Sequence, residues 1–549
     1  MASDFIKVRA EEVVIGAIVG IGVGIAVTSP ITAGLKGWNP ITAPGLTGFI
    51  QATALWLGIV GFGSLGAWWA SRQERDSHAR GARYLAQYGA AADVLQAIES
   101  RQFSDAQRHH QVAGIKIGGV EFSRTQEVGH IYVVGVPGTG KTVLLQSLVD
   151  QVLARGDRLI LHDPKGDYIA RYYDPASCVL IGPWDERAAV WDASADIDSP
   201  ALADEFGASV AGKVEGQNKF FHDAAGKLIA GLIRSYQRNS RSWTWADLRS
   251  ALSSDPETLI VQAAQGDASI KQVMPSLFTN SEDMTAGERS ILSVLGTATS
   301  WIANYAAVDA SCPNAQRFSM RRWMTGEAHA GTKIVVLNAN ANYQTAGESV
   351  FGSILATVSA TVSSATMPER GADKPGIWCI LDEFPQLGVS ALGQIQRIAE
   401  LGRSRGIRMV TALQDEAQLA ARVGRDKAEP MLAVQSAKVY MRASDRTAEA
   451  VSKRIGQREI NRIETTAENG ALSGKTKKLV TQQVIQPSDL LGLRVRSAES
   501  PKGVELILHI EDTLGKLVQP FPERRPDQAK PIVESNVWKM GSLHEAIPE

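Results

Sequence analysis

The chain has 549 residues, of which 44% are hydrophobic and 21% charged. This balance excludes a disordered polymer and leaves room for more than one domain. A formal net charge of −1 excludes nucleic-acid binding by bulk charge, so any such contact must come from a local surface such as a pore lining. Three cysteines, Cys178, Cys312 and Cys379, stand far apart in no ligand spacing, which excludes a disulfide framework and suits a reducing compartment.

Two stretches free of charge open the chain, 13–35 and 48–70. Each meets the roughly 20 residues that a helix needs to cross a bilayer. Lys7 and Arg9 precede the first, Arg72, Arg75, Arg80 and Arg83 follow the second, and only Lys36 lies between. The bias predicts a transmembrane hairpin with both termini cytoplasmic and the turn near Trp38 outside. Gly16, Gly20 and Gly24 have the spacing of a helix-packing face, or simply reflect the tolerance of membrane helices for glycine. The adjacent pair His109-His110 reads as surface histidine, because neighbouring residues are a poor metal arrangement.

The next segment, IYVVGVPGTGKT from Ile131 to Thr142, carries the strongest chemical signal. An apolar strand runs into a phosphate-binding loop of the form G-x-x-x-x-G-K-[ST], made of Gly135, Val136, Pro137, Gly138, Thr139, Gly140, Lys141 and Thr142. Glycines let backbone N–H groups curl around phosphate oxygens, and the following helix adds its dipole. Lys141 can reach the β/γ-phosphates and the Thr142 hydroxyl can ligate Mg²⁺. A helix then runs to Gly156, followed by a buried-type strand at 158–163. Lys165 and Asp167, in the turn after that strand, are rim candidates or ordinary turn chemistry.

From about 197 to 316 strand signals are sparse, and helix starts stand at Ser199-Pro200, at Thr244 with Asp247, and at Asp255-Pro256. This region reads as an all-helical insertion in an α/β domain, whose pattern resumes with the strand KIVVL at 333–337. A second anchor follows in Gly376–Glu383, an apolar strand ending in Asp382-Glu383. Asp382 is expected to hold the hydration shell of Mg²⁺, and Glu383 to orient and deprotonate the attacking water. The basic turn with Arg403, Arg405 and Arg408 is solvated, or else supplies an arginine to a neighbouring subunit. The next strand, 407–413, ends in Gln414, whose amide can approach the γ-phosphate. Lys475, Lys477 and Lys478 read as a basic loop, and the tail from Pro520 as loosely ordered.

Taken together, GVPGTGKT (135–142), LILHDPKGD (159–167), FSMRRW (318–323), ILDEFPQLG (380–388) and LGRSRGIRMVTALQ (401–414) resemble the coupling proteins of type IV secretion, conjugative DNA-pump ATPases of the TraD/TrwB type. The resemblance spans residues 1 to about 515. It implies a RecA-like P-loop NTPase using ATP and Mg²⁺, with an all-α domain, assembled as a membrane-anchored homo-hexamer around a channel. It also implies binding to single-stranded DNA with little sequence preference, a relaxase or relaxosome partner, and delivery to secretion-channel proteins. Arg403 falls on the family's trans-acting arginine and Gln414 on its γ-phosphate-sensing glutamine.

The expected architecture is therefore α/β. A transmembrane domain covers 1–75, a RecA-like domain covers 76–196 and 317–515, an all-α insertion covers 197–316, and a tail covers 516–549. The expected function is an ATPase of the bacterial inner membrane that pumps relaxase-bound single-stranded DNA toward a secretion channel. Two alternatives stay open, a docking receptor for protein effectors and a double-stranded DNA translocase of the segregation-pump type.

Overall fold

A computed structural model describes residues 77–80, 83–85 and 113–540, apart from 215, 240–241, 280–282, 312–316, 371–374, 469–470, 497–502, 511–512 and 524. The expected membrane hairpin and His109-His110 lie outside the described residues. The chain divides into two units, 1–80 with 458–482, and 81–457 with 483–549.

In the first unit, strand Ser77–Arg80 pairs antiparallel with Gln457–Glu468, which is bonded in turn to Ala471–Gln483. Residues 475–478 are thus part of a strand and not the basic loop that their charge suggested. A run of lysines alternating with threonine satisfies a strand as well as a loop, and only pairing decides between them.

The second unit is built on an eleven-stranded sheet. In chain order its strands are β1 (Arg83–Leu85), β2 (Ile131–Val134), β3 (Arg158–Asp163), β4 (Cys178–Ile181), β5 (Ile334–Asn338), β6 (Ile377–Leu381), β7 (Ile407–Leu413), β8 (Ala437–Tyr440), β9 (Val495–Arg496), β10 (Gly503–Ile510) and β11 (Thr513–Pro520). The spatial order is β1-β11-β10-β8-β2-β7-β6-β3-β5-β4, with β9 paired to β10 alone. The run from β8 to β4 is wholly parallel. Such strands are covered on both faces, so they read as continuous apolar runs. Their residues still alternate between faces: Ile131 and Val133 join one core cluster, Tyr132 and Val134 the other. β10 and β11 extend the sheet antiparallel from β8.

Helix α1 (Lys141–Ala154) buries Leu144, Leu145, Leu148, Val149 and Val152 on the Ile131/Val133 side. α2 (Asp167–Tyr172) follows β3. The insertion holds α3 (Pro200–Ala211), α4 (Lys219–Arg238), α5 (Trp245–Leu252), α6 (Pro256–Gly266) and α7 (Ala286–Ser311), with no strand among the described residues. The three expected helix starts are real caps. Ser199 and Asp255 accept from the N–H groups of Leu202 and Thr258, and Thr244 forms a capping box with Asp247. By length and composition α7 is apolar enough to cross a membrane, but Ile291, Leu295, Trp301, Ile302 and Tyr305 are buried in the shared core. Four further helices, α8 (Gln344–Ser363), α9 (Val389–Leu401), α10 (Glu416–Val423) and α11 (Arg425–Ala433), pack around the sheet, and α12 (Asp445–Ile455) follows β8.

The tail is not loosely ordered over its described part. β11 runs to Pro520, past the limit of 515 expected for the domain. The following segment is then tied down in steps. Gln528 N–H donates to the Ala170 carbonyl, Glu186 N–H to Val533, and Ser535 N–H to Trp184. Trp538 is buried edge-on against Trp184 and Tyr343. One aromatic anchor and a row of backbone bonds order a segment whose composition is that of a loose tail.

Candidate functional site

Because β2, β7, β6 and β3 are parallel neighbours, the segments after their C-terminal ends emerge at one edge of the sheet. These segments are the phosphate loop, Gln414, Asp382-Glu383 and the Asp163 turn. Open α/β sheets place their ligands at such an edge. Here it encloses a cavity of about 330 Å³, lined by Val136–Gly138, Gly140–Val143, Asp163–Lys165, Asp167, Tyr168, Asp382, Glu383, Gln386, Gln414 and Val495.

The loop's shape follows from its glycines. Gly138 and Gly140 have φ of 76° and 88°, a region that costs other residues strain. A side chain on Gly140 would also meet Val504 at 2.6 Å. The loop is pinned where Gly135 N–H donates to Leu413 and Val136 N–H to Arg442. Thr139 turns inward, its hydroxyl donating to the Val136 carbonyl at 2.7 Å. Gly135 and Thr139 therefore shape the loop from behind, while the other expected loop residues line the cavity.

Three charged groups meet here. Lys141 Nζ lies 3.3 Å from Glu383 Oε2, and both side chains are almost fully buried. The other Glu383 oxygen accepts from Gln414 N–H at 3.3 Å. Glu383 itself has φ 50° and ψ 46°. A non-glycine residue held left-handed costs about 1–3 kcal/mol and marks a constrained position; it aims this carboxylate into the cavity. Burial pushes the Lys141 ammonium below its usual range, with Glu383 and Asp382 opposing the shift. Burial pushes Asp382 up, with Lys141 opposing. Thr142 and Asp382 bring hard oxygen donors to the same cavity, the donor class that suits Mg²⁺.

Several groups here have no motif of their own. The Tyr168 hydroxyl donates to Asp382 Oδ2 at 3.0 Å. His162 Nδ1 lies 2.5 Å from the Asp382 carbonyl, and burial lowers its pKa to about 4, so the neutral ring donates from Nδ1. Asp163 is buried and accepts from the N–H groups of Lys165, Gly166, Tyr168 and Ile169. Burial raises it to about 6 while these bonds oppose. It is the post of the turn that presents Lys165 and Asp167 to the cavity. Asp-Pro-Lys-Gly-Asp after a strand signals the turn, but not the reach of Tyr168.

Arg403 is elsewhere. It sits before β7, at the opposite edge of the sheet, exposed, with Nη2 donating to the Val434 carbonyl at 3.1 Å. Its neighbours are structural: Arg405 donates to the Met367 carbonyl, and Arg408 is buried 3.2 Å from Glu127.

The profile of the family described as type IV secretion-system coupling protein DNA-binding domain matches residues 114–499, more than half of the chain. The coupling protein TraD of Escherichia coli (strain K12) is 22% identical over 355 residues, which are 63% of this chain and 46% of TraD. The chain thus spans about half the length of that curated relative. Among solved structures, the unbound monoclinic form of the bacterial conjugative coupling protein TrwBdeltaN70 superposes with a TM-score of 0.64 at 19% identity, covering 84% of this chain and 98% of the other. Plasmid coupling protein TrwB in complex with ADP and Mg²⁺ gives 0.62 at 19% identity, covering 84% and 99%. TrwB with a non-hydrolysable ATP analogue gives 0.62 at 18%, covering 84% and 98%. The shared fold is a RecA-like α/β fold, and by its profile match over more than half of its length the chain belongs to the type IV secretion-system coupling protein family.

Proposed function

We propose that this chain is an ATP-hydrolysing motor that moves single-stranded DNA, with an attached relaxase, toward a type IV secretion channel. The observation that carries the reading is the convergence of Lys141, Asp382 and Glu383 on one cavity under the phosphate loop. The TrwB complexes with nucleotide and Mg²⁺ support ATP and Mg²⁺ as its ligands. The loop N–H groups and Lys141 bind the β- and γ-phosphates and compensate their charge. Thr142 and Asp382 would hold Mg²⁺, which when bound neutralises charge on those phosphates. Glu383 accepts the proton of a water that attacks the γ-phosphorus, and ADP leaves with the electron pair of the broken P–O bond. Gln414 lies beside Glu383 through its backbone and is the group set to report on the γ-phosphate. Arg403 acts on the site of an adjacent subunit in a hexameric ring. Spans at 13–35 and 48–70 anchor the ring in the bacterial inner membrane, with both termini cytoplasmic.

The test separates binding from turnover. Lys141→Ala is expected to remove most nucleotide affinity. Glu383→Gln is expected to keep ATP binding and lower turnover by about 10²-fold or more. A Glu383→Gln protein that hydrolyses ATP at the full rate overturns the assignment.

A further inference from the structure

A groove of about 1000 Å³ lies away from the nucleotide cavity. One wall is the end of α3 and the segment after it, with Lys213 and Val214. The floor is α4, and the opposite wall is the α10–α11 turn together with Val389 at the start of α9. Six cations line it: Lys213, Lys219, Lys227, Arg234, Arg422 and Lys427. Only three acids do so, Asp204, Asp223 and Asp267. Those acids are matched within the groove, Asp204 and Asp267 by Arg234, Asp223 by Lys219. Lys213 and Arg422 have partners in Glu205 and Glu348, which are not part of the lining. Six cations against three acids make this lining cationic in a chain of net charge −1.

The groove is not only cationic. Phe220, in the first turn of α4, is 58% exposed and stands next to lining residue Lys219 without itself being part of the lining. Helical spacing puts it on the side of Asp223 and Lys227, three and seven residues on, which line the groove. Phe221 packs against the core and meets Phe220 edge-on, with ring centroids 5.6 Å apart, so the exposed ring is braced. Val214 and Val389 add exposed apolar surface to the two walls. Lysines for phosphates beside a braced, exposed aromatic ring are the two parts of a single-strand binding surface, where bases stack and the backbone follows charge. A duplex hides its base faces and would use only the charge.

We propose that this groove between α4 and the α10–α11 turn holds a segment of single-stranded DNA, with Lys213, Lys227 and Lys427 on phosphates and Phe220 stacked on a base. The proposal deepens, and rests on, the reading of the chain as a DNA motor. The groove joins the helical insertion to the segment after β7, whose first residue, Gln414, lines the nucleotide cavity. A strand held there is gripped by the same segment that meets the nucleotide.

The test uses the full chain in detergent and fluorescent oligo(dT), a duplex of equal length, and poly-glutamate as competitor, at several salt concentrations. Three proteins are compared: the native chain, a Lys213→Glu/Lys227→Glu/Lys427→Glu variant, and Phe220→Ala. ATP binding reports that each is folded. The charge reversal is expected to weaken oligo(dT) binding at least tenfold and to flatten the salt slope by about 2, since each phosphate contact on a single strand contributes about 0.7. Phe220→Ala is expected to weaken oligo(dT) about fivefold or more, leaving the salt slope and duplex binding unchanged. Native binding and slope in both variants would overturn the groove while leaving the motor intact. No oligo(dT) binding by the native chain would overturn the motor reading itself. Equal losses for duplex and single strand, with Phe220→Ala silent, would overturn the single-stranded occupant. Competition by poly-glutamate as strong as by oligo(dT) would replace DNA with an acidic protein.

Discussion

Lys141 and Glu383 stand 242 positions apart in sequence and 3.3 Å apart in the fold, with side chains 9% and 5% exposed. The contact joins the start of α1, which follows β2, to the end of β6, with β7 alone between those strands in the sheet. It also couples the fate of the two groups. Breaking a buried pair from one side leaves an uncompensated charge, at a cost of about 3–5 kcal/mol. Lys141→Met is the harsher change, because it leaves Glu383 facing Asp382. The expected result in chemical unfolding is a loss of about 3 kcal/mol for Lys141→Met. Glu383→Gln added to it should restore part of that loss. A double variant as unstable as the two single losses added together would show that the pair is not coupled.

Tyr168 holds Asp382 through a single hydrogen bond. A bond to an ionised group is worth about 1.5–3 kcal/mol, and here it fixes which way the carboxylate faces. Tyr168→Phe is expected to raise the Mg²⁺ concentration for half-maximal turnover by about tenfold, within what that bond allows. Turnover at saturating Mg²⁺ and ATP should fall much less. An unchanged Mg²⁺ dependence would reduce Tyr168 to a packing residue.

His130 and His162 make stability depend on pH. His130 is buried, its Nε2 2.8 Å from the Ala399 carbonyl and its Nδ1 accepting from Met409 N–H, so both ring nitrogens are engaged by the neutral tautomer. Burial lowers both histidines to about 4. The unfolded chain binds the proton near 6.5. Their contribution is therefore fully present above about pH 6.5 and is lost as pH falls toward 4, by up to about 1.4 kcal/mol per pH unit for each ring. Unfolding midpoints measured across that window should fall toward acid, and His130→Gln should flatten the fall. An equal slope in the variant would exclude His130 as a source.

The chemistry was legible in the sequence where it is local. Gly135, Gly140, Lys141 and Thr142 advertise a loop because their spacing is local and follows an apolar strand, and Ser199, Thr244 and Asp255 advertise helix starts because a cap acts within three residues. What escaped is set by distant pairing. Tyr168 reaches Asp382 across 214 positions. The segments GVELILHI and TLGKLVQP join the nucleotide-binding sheet only because β8 offers them an edge. The ordered tail depends on where Trp538 lands, which no charge or proline count reveals.

Arg403 offers the decisive test of assembly. It precedes β7, and Gln414 follows it. Seven strand residues at about 3.3 Å each put more than about 20 Å between the guanidinium's root and the edge where the nucleotide cavity lies. Arg403 cannot reach its own γ-phosphate, but it stands exposed, held by one bond to the Val434 carbonyl. An arginine that enters a neighbour's site is worth about 10³–10⁵ in rate. Arg403→Ala is therefore expected to bind ATP normally and to lose most DNA-stimulated hydrolysis. Mixing supplies the sharper outcome. Glu383→Gln subunits keep the arginine, and Arg403→Ala subunits keep the carboxylate, so a mixed interface regains both groups on one nucleotide. Titrating one purified variant into the other in detergent with DNA should raise ATP turnover above either alone, with a maximum at intermediate ratios. If subunit exchange is confirmed by energy transfer between labelled copies and turnover stays flat at every ratio, Arg403 does not act between subunits.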